Sequence, residues 1–128
     1  MPSRPRALLI VVLAALYLAL MFAATHWPAR PGGTGMGLDK LVHAGMYAGL
    51  AMLILAATGL LRPVTWKVAI AVVLGVALYG AIDEWTQSFV PHRTADFRDW
   101  VADVVGAAAG AAFYMAVSRR SRAANHNR

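Results

Sequence analysis

The sequence predicts an all-α polytopic membrane protein, four transmembrane helices in a compact bundle with the N and C termini cytoplasmic, and three observations predict it. The chain is 59% hydrophobic and only 14% charged, a balance outside that of soluble globular domains. Four apolar stretches, residues 7–24, 41–61, 68–90 and 100–117, each approach the roughly 20 residues needed to cross about 30 Å of hydrocarbon, and the last is broken only by Asp103. The basic residues are divided unevenly between the two sides that such a bundle has.

The first helix follows Arg4 and Arg6, which also suits a signal peptide. Its apolar core of 18 residues exceeds the usual h-region, however, and Phe22-Ala23-Ala24-Thr25 is not an A-x-A cleavage site, so a retained anchor is expected. Pro and Gly crowd residues 28–35, a flexible loop ahead of the second helix. Arg62 and Pro63 close the second helix, Lys67 stands at the start of the third, and the fourth runs into Ser118-Arg119-Arg120-Ser121-Arg122. Trp27, Trp85 and Trp100 fall at one set of helix ends and Trp66 at the other, as aromatic belts do. No internal repeat divides the chain, and a single domain over residues 1–128 is expected.

Charge orients the bundle. With the N terminus inside, the cytoplasmic side carries Arg4, Arg6, Arg62, Lys67, Arg119, Arg120, Arg122 and Arg128, eight of the twelve Lys and Arg residues, and no acid. The other side holds four basic and all six acidic residues, a net charge of −2. The positive-inside rule reads this division as both termini cytoplasmic. The basic excess is therefore a topological signal: the tail is a short solvated cluster beside anionic lipid, without the readout residues that nucleic-acid binding needs. The absence of cysteine excludes a disulfide scaffold and a thiol nucleophile.

The chemistry concentrates on the acidic side. Asp83 and Glu84 lie side by side near the end of the third apolar stretch. A charge at the bilayer centre costs about 3 kcal/mol and less toward the surface, so such acids face a polar interior. Asp39, His43 and Tyr47 follow an i, i+4, i+8 spacing, as do Tyr79, Asp83 and Gln87, and Asp99 and Asp103 repeat the offset, so each helix presents a polar stripe at one depth. Gly45-x-x-x-Gly49 and Gly106-x-x-x-Gly110 are small-x-x-x-small patterns that permit close helix approach. Plainer accounts exist for single residues: Asp39 and Asp99 as helix N-caps, Lys40 and Arg98 as snorkelling cations, His43 as a satisfied core histidine, Arg93 or Arg98 as a counter-ion that pins a loop. Capping does not account for Asp83, Glu84 and Asp103, which lie well inside their helices.

Asp39-Lys40-x-x-His43, then Glu84-x-x-Gln87-x-x-x-Pro91-x-Arg93, then Asp99-x-x-x-Asp103-x-x-Gly106 together resemble the VanZ-like family of small polytopic membrane proteins, over about residues 38–114. Many members carry Asn where this chain has Asp103, and often Gly where it has His92. The family is named for a member associated with resistance to the lipoglycopeptide teicoplanin, so the resemblance implies an antibiotic-resistance context and a multi-pass protein of the bacterial inner membrane acting near the cell envelope. It supplies no reaction.

Two functions compete. In the first, the site binds an envelope lipid head group, a polyprenyl-linked cell-wall precursor or a glycopeptide: two helix N-termini and Lys40, Arg93 and Arg98 receive a phosphate, with Asp39, Tyr47, Gln87, Asp99 and Asp103 lining the site. In the second, the protein is a membrane-embedded hydrolase or transferase acting on such a lipid, with His43 as general base, Asp83 or Glu84 as acid and Arg93 steadying developing charge. In a metal-assisted variant His43, Asp83, Glu84 and Asp103 hold a divalent ion. Ser88 and Thr86 lack a nucleophile-elbow context, which argues against serine-type hydrolysis. Proton-coupled transport is a third class, but four helices without a repeat do not make an alternating-access carrier as a monomer. Lipid or glycopeptide engagement is the preferred reading; cofactor, bound metal and oligomeric state are left open by the sequence.

Overall fold

The computed structural model of the chain describes residues 4–27 and 36–126, with side chains placed over residues 8–27 and 38–121 and at 124. It contains α1 (Arg4–Thr25), α2 (Met36–Leu61), α3 (Trp66–Gln87) and α4 (Phe97–His126). Each includes a segment long and apolar enough to cross a membrane: Leu8–Thr25, Leu38–Leu61, Trp66–Gln87 and Phe97–Ser121. Large apolar side chains such as Leu9, Leu16, Leu74 and Phe113 remain exposed, the surface a bundle offers to hydrocarbon. The expected loop at residues 28–35, with Arg30, lies outside the described residues.

The helix ends differ from the hydropathic runs for local reasons. α2 starts at Met36, ahead of Asp39 where a cap was expected and of the apolar run from 41, because Asp39 and Lys40 interrupt the run without interrupting the helix. α3 starts at an N-cap, Thr65, whose hydroxyl accepts the Val68 N–H at 3.4 Å. Val64 before the cap and Ala69 in the second turn are both buried, in the positions of a hydrophobic staple. The same helix stops at Gln87, three residues before the expected end, so Asp83 lies one turn from its C-terminus rather than two. The chain then turns: Ser88, Phe89 and Val90 donate backbone N–H groups to Trp85, Thr86 and Gln87 carbonyls.

α2 and α4 run parallel and pack most closely. A Cβ added to Gly106 would run into the Ala44 backbone, and one added to Gly110 into that of Ala48. The expected α4 small-residue pattern therefore does make a close approach, but its partners are Ala44 and Ala48. Gly45 meets nothing within 4 Å, and Gly49 instead faces Tyr17 of α1. Tyr47, Leu50, Ala51, Val76, Ala107 and Met21 form a buried core beneath the end where α2 and α4 begin; Leu55, Val64, Ala69 and Ala111 form a second core toward the opposite end. Tyr17 fastens α1 by donating its hydroxyl to the Met46 carbonyl at 2.6 Å.

Candidate functional site

At the end of the bundle where α1 and α3 finish and α2 and α4 begin, six polar side chains are buried: Thr25, His43, Asp83, Glu84, Gln87 and Asp103. They fall into two adjoining groups, because consecutive residues on a helix point about 100° apart. Asp83 and Glu84, neighbours in sequence, serve one group each.

Asp83 forms a clasp among three helices. Its Oδ1 accepts the Thr25 hydroxyl at 3.1 Å from α1, and its Oδ2 accepts the Tyr47 hydroxyl at 3.2 Å from α2 and Gln87 Nε2 at 2.8 Å from its own helix. Gln87 passes the connection on, its Oε1 accepting Arg93 Nη1 at 3.0 Å, while Arg93 Nε donates to the Trp27 carbonyl at 2.9 Å. His26 Nδ1 lies 3.7 Å from Asp83 Oδ1. Tyr79, the remaining member of the α3 stripe, is half-buried with its ring 6.1 Å from that of Tyr47. Neutral donors thus satisfy both Asp83 oxygens, and Arg93 ties the turn after α3 to the end of α1.

His43, Glu84 and Asp103 form the second group, one each from α2, α3 and α4. His43 Nδ1 lies 2.9 Å from Asp103 Oδ1, a contact in which the imidazole Nδ1–H donates to the ionised carboxylate. Glu84 Oε2 accepts the Asp96 backbone N–H at 2.9 Å. The other two oxygens, Glu84 Oε1 and Asp103 Oδ2, are buried and have no hydrogen-bond partner among the described residues. One donor atom from each of His43, Glu84 and Asp103 lies within 4.8 Å of the others. Gly80 sits between the two groups: a Cβ there would stand 3.1 Å from Tyr47 and 3.3 Å from Asp103 Oδ2.

The cap of α4 is Asp96 and not Asp99, the residue expected there. Asp96 holds the N-terminal position, its Oδ1 accepting the Arg98 N–H at 2.8 Å and its carbonyl the Asp99 N–H at 2.9 Å. The Arg98 N–H, aided by the Lys40 ammonium, holds the Asp96 carboxyl below the usual carboxylate range. Asp39 and Asp99 lie inside the first turns of α2 and α4, where an acid still favours the positive end of the helix dipole. Lys40 bridges to Asp99 at 2.6 Å and Asp96 at 3.5 Å, so it is paired rather than snorkelling free. Asp39 joins His43 and Asp99 in a second, more exposed trio of possible ligands. Trp100 is also more than a belt residue, because its indole N–H donates to the Ala77 carbonyl at 2.9 Å and pins α4 to α3.

Sequence reasoning missed Thr25, the Trp27 carbonyl and Asp96. The first two belong to a helix read as plain anchor, although Thr25 and His26 end its apolar run at the depth of Asp83. Asp96 stands three residues before Asp99 in a D-x-x-D arrangement at a helix start, a legible capping signal. The turn at residues 90–93 closes with Arg93 N–H donating to the Val90 carbonyl at 3.1 Å, with Pro91 second and His92 third at φ 63°. Positive φ at the third position favours Gly, which explains why the resemblance expects Gly there.

Fold and site together define a small four-helix membrane protein with a buried carboxylate–imidazole cluster at one end of its bundle. The chain belongs to the VanZ/LLP1 family, whose model matches residues 6–118. That match takes in α1 and the whole site, more than the 38–114 expected from the motifs. No curated protein and no solved structure gives a match to the chain.

Proposed function

We propose that this protein lies in the bacterial inner membrane with its termini in the cytoplasm and that the polar end of the bundle, facing outward, engages the anionic head group of an envelope lipid or a lipoglycopeptide. The observation that carries the reading is a groove of about 640 Å³ between α2 and α4 beside the buried cluster. Leu41, Ala44, Val101 and Val105 make its walls apolar, and Lys40 and Arg98 line it with the apolar stems of their side chains. Arg98 has no side-chain ion pair among the described residues, and its planar fork suits a phosphate. In this reading an acyl or polyprenyl chain lies along the apolar walls and its phosphate meets the Arg98 guanidinium, with the Lys40 ammonium, paired to Asp99 and Asp96, adding positive charge nearby. Arg93, bonded to Gln87 and the Trp27 carbonyl, serves to position the turn.

Binding is preferred to turnover because the hydroxyls near the acid pair are already engaged. Thr86 donates to helix carbonyls at 2.9 and 3.0 Å, Ser88 to the Trp85 carbonyl at 2.6 Å, and Thr25 to Asp83. None is paired to His43 as a nucleophile to its base. The test is mass spectrometry of the lipids retained by the purified protein, followed by competition with a polyprenyl phosphate and with teicoplanin. Anionic lipid retained by the wild type and displaced by either competitor supports the reading; a lipid profile equal to that of the bulk membrane contradicts it.

A further inference from the structure

We propose that His43, Glu84 and Asp103 form a binding site for one divalent metal cation of the Zn2+ or Mn2+ class. This goes beyond lipid engagement and does not depend on it, since the groove cations Lys40 and Arg98 are not among the ligands.

Three independent features of the cluster point to a cation. The first is the donor set: one imidazole and two carboxylates, converging from α2, α3 and α4, with one donor atom from each inside a 4.8 Å span. The second is orphaned charge. Asp103 is fully buried and Glu84 is 6% exposed, yet Glu84 Oε1 and Asp103 Oδ2 have no hydrogen-bond partner among the described residues. Buried carboxyl oxygens left without a partner are costly, and a cation bound at them supplies the missing partner. No Lys or Arg among the described residues does this. Lys40 is taken by Asp99 and Asp96, and Arg93 by Gln87 and the Trp27 carbonyl.

The third feature is spacing. His43 Nδ1 and Asp103 Oδ1 stand 2.9 Å apart, a hydrogen-bond distance that also suits adjacent ligands of a six-coordinate ion with bonds about 2.1 Å long, and that opens by about 0.5 Å for a tetrahedral one. The ion then takes the place of the Nδ1 proton, which is released on binding, and Glu84 closes the set from α3. A mixed nitrogen and oxygen set favours Zn2+ or Mn2+ over Mg2+ or Ca2+, which prefer oxygen alone. The more exposed trio of Asp39, His43 and Asp99 is the weaker candidate, because Asp99 already holds Lys40 at 2.6 Å.

Surrounding residues hold the ligands in place. The Asp96 N–H fixes Glu84 Oε2 and leaves Oε1 without a partner among the described residues, and the close α2–α4 packing at Gly106 fixes His43 relative to Asp103, one residue before Ala44 and three before Gly106 respectively. Gly80 keeps the floor open next to Asp103 Oδ2, where a methyl group would intrude.

The experiment uses the full chain in nanodiscs, stripped with a chelator and then dialysed against Zn2+, Mn2+, Mg2+ or Ca2+, with bound metal measured by elemental mass spectrometry. One Zn2+ or Mn2+ per chain is expected, with affinity lowered at least about tenfold in Glu84→Gln and in Asp103→Asn and retained in Asp99→Asn. Pulsed EPR of the Mn2+-loaded wild type is expected to show coupling to one imidazole nitrogen, a readout that needs no variant to fold. Absence of stoichiometric uptake, uptake without nitrogen coupling, or loss in Asp99→Asn with none in Glu84→Gln each overturns the proposal.

Discussion

The carboxylates of Asp83 and Glu84 are adjacent in the chain and face different helices: Asp83 accepts hydroxyls from Thr25 of α1 and Tyr47 of α2, whereas Glu84 accepts the backbone N–H of Asp96 at the start of α4. α3 is therefore the hub of the site, holding α1 and α2 with one residue and the entrance to α4 with the next.

The clasp makes a graded stability prediction. Asp83→Ala leaves the donors of Thr25, Tyr47 and Gln87 without their acceptor and is expected to cost about 3 kcal/mol, with α1 loosened first. Thr25→Val removes one donor and leaves Asp83 two others, a loss of about 1 kcal/mol. Thermal unfolding in detergent, read together with protease sensitivity of α1, checks the order. Equal losses in the two variants would mean that Asp83 is not shared among helices.

Close packing makes a second. Gly106→Ala forces a methyl group into the Ala44 backbone, which cannot retreat without separating α2 from α4, so a loss of about 3 kcal/mol or failure to fold is expected. Gly45→Ala meets nothing and is expected to be neutral or stabilising by up to about 1 kcal/mol. The two variants share a composition change and differ only in what the new methyl group touches.

Of the fold, the number and order of the helices were legible in hydropathy alone, because spanning length is a property of composition. Their ends were not. Asp39 reads as the N-cap of α2 although the helix begins three residues earlier at Met36, and residues 88–90 look like helix until the turn around Pro91 claims them. Within the site, the i, i+4 offsets correctly put His43, Tyr47, Asp83, Gln87 and Asp103 on inward faces. Offsets within a helix carry no information on which helix lies opposite, however, so the pairing of His43 with Asp103 and of Tyr47 with Asp83 needed the three-dimensional arrangement. The contribution of α1 was hidden for the same reason, since Thr25 gains its meaning only from a residue 58 positions away.

Left-handed backbone at His92 gives a prediction independent of the site. A side chain at positive φ costs about 1 kcal/mol relative to Gly, partly offset by the greater freedom of Gly in the unfolded chain. His92→Gly is expected to raise the melting temperature slightly and His92→Val to lower it distinctly, as scanning calorimetry can show.

The proposed orientation, with both termini in the cytoplasm, rests on the eight-to-four division of basic residues. A cysteine at Thr94, in the exposed α3–α4 connection, should react with an impermeant thiol reagent applied to intact cells, and one at Thr65, at the exposed start of α3, should not. Labelling confined to position 65 would invert the bundle and bring the polar end to the cytoplasm.

The central claim is that the groove selects an anionic head group, and it is tested most directly by native mass spectrometry of the protein presented with a polyprenyl phosphate and with the polyprenol of the same length. The two ligands share every apolar contact and differ only in the phosphate. Preferential binding of the phosphate is expected, by about tenfold or more, with loss of that preference when Arg98 and Lys40 are both replaced by Ala. Equal binding of the two ligands by the wild-type protein, or a preference unchanged in the double variant, would contradict it.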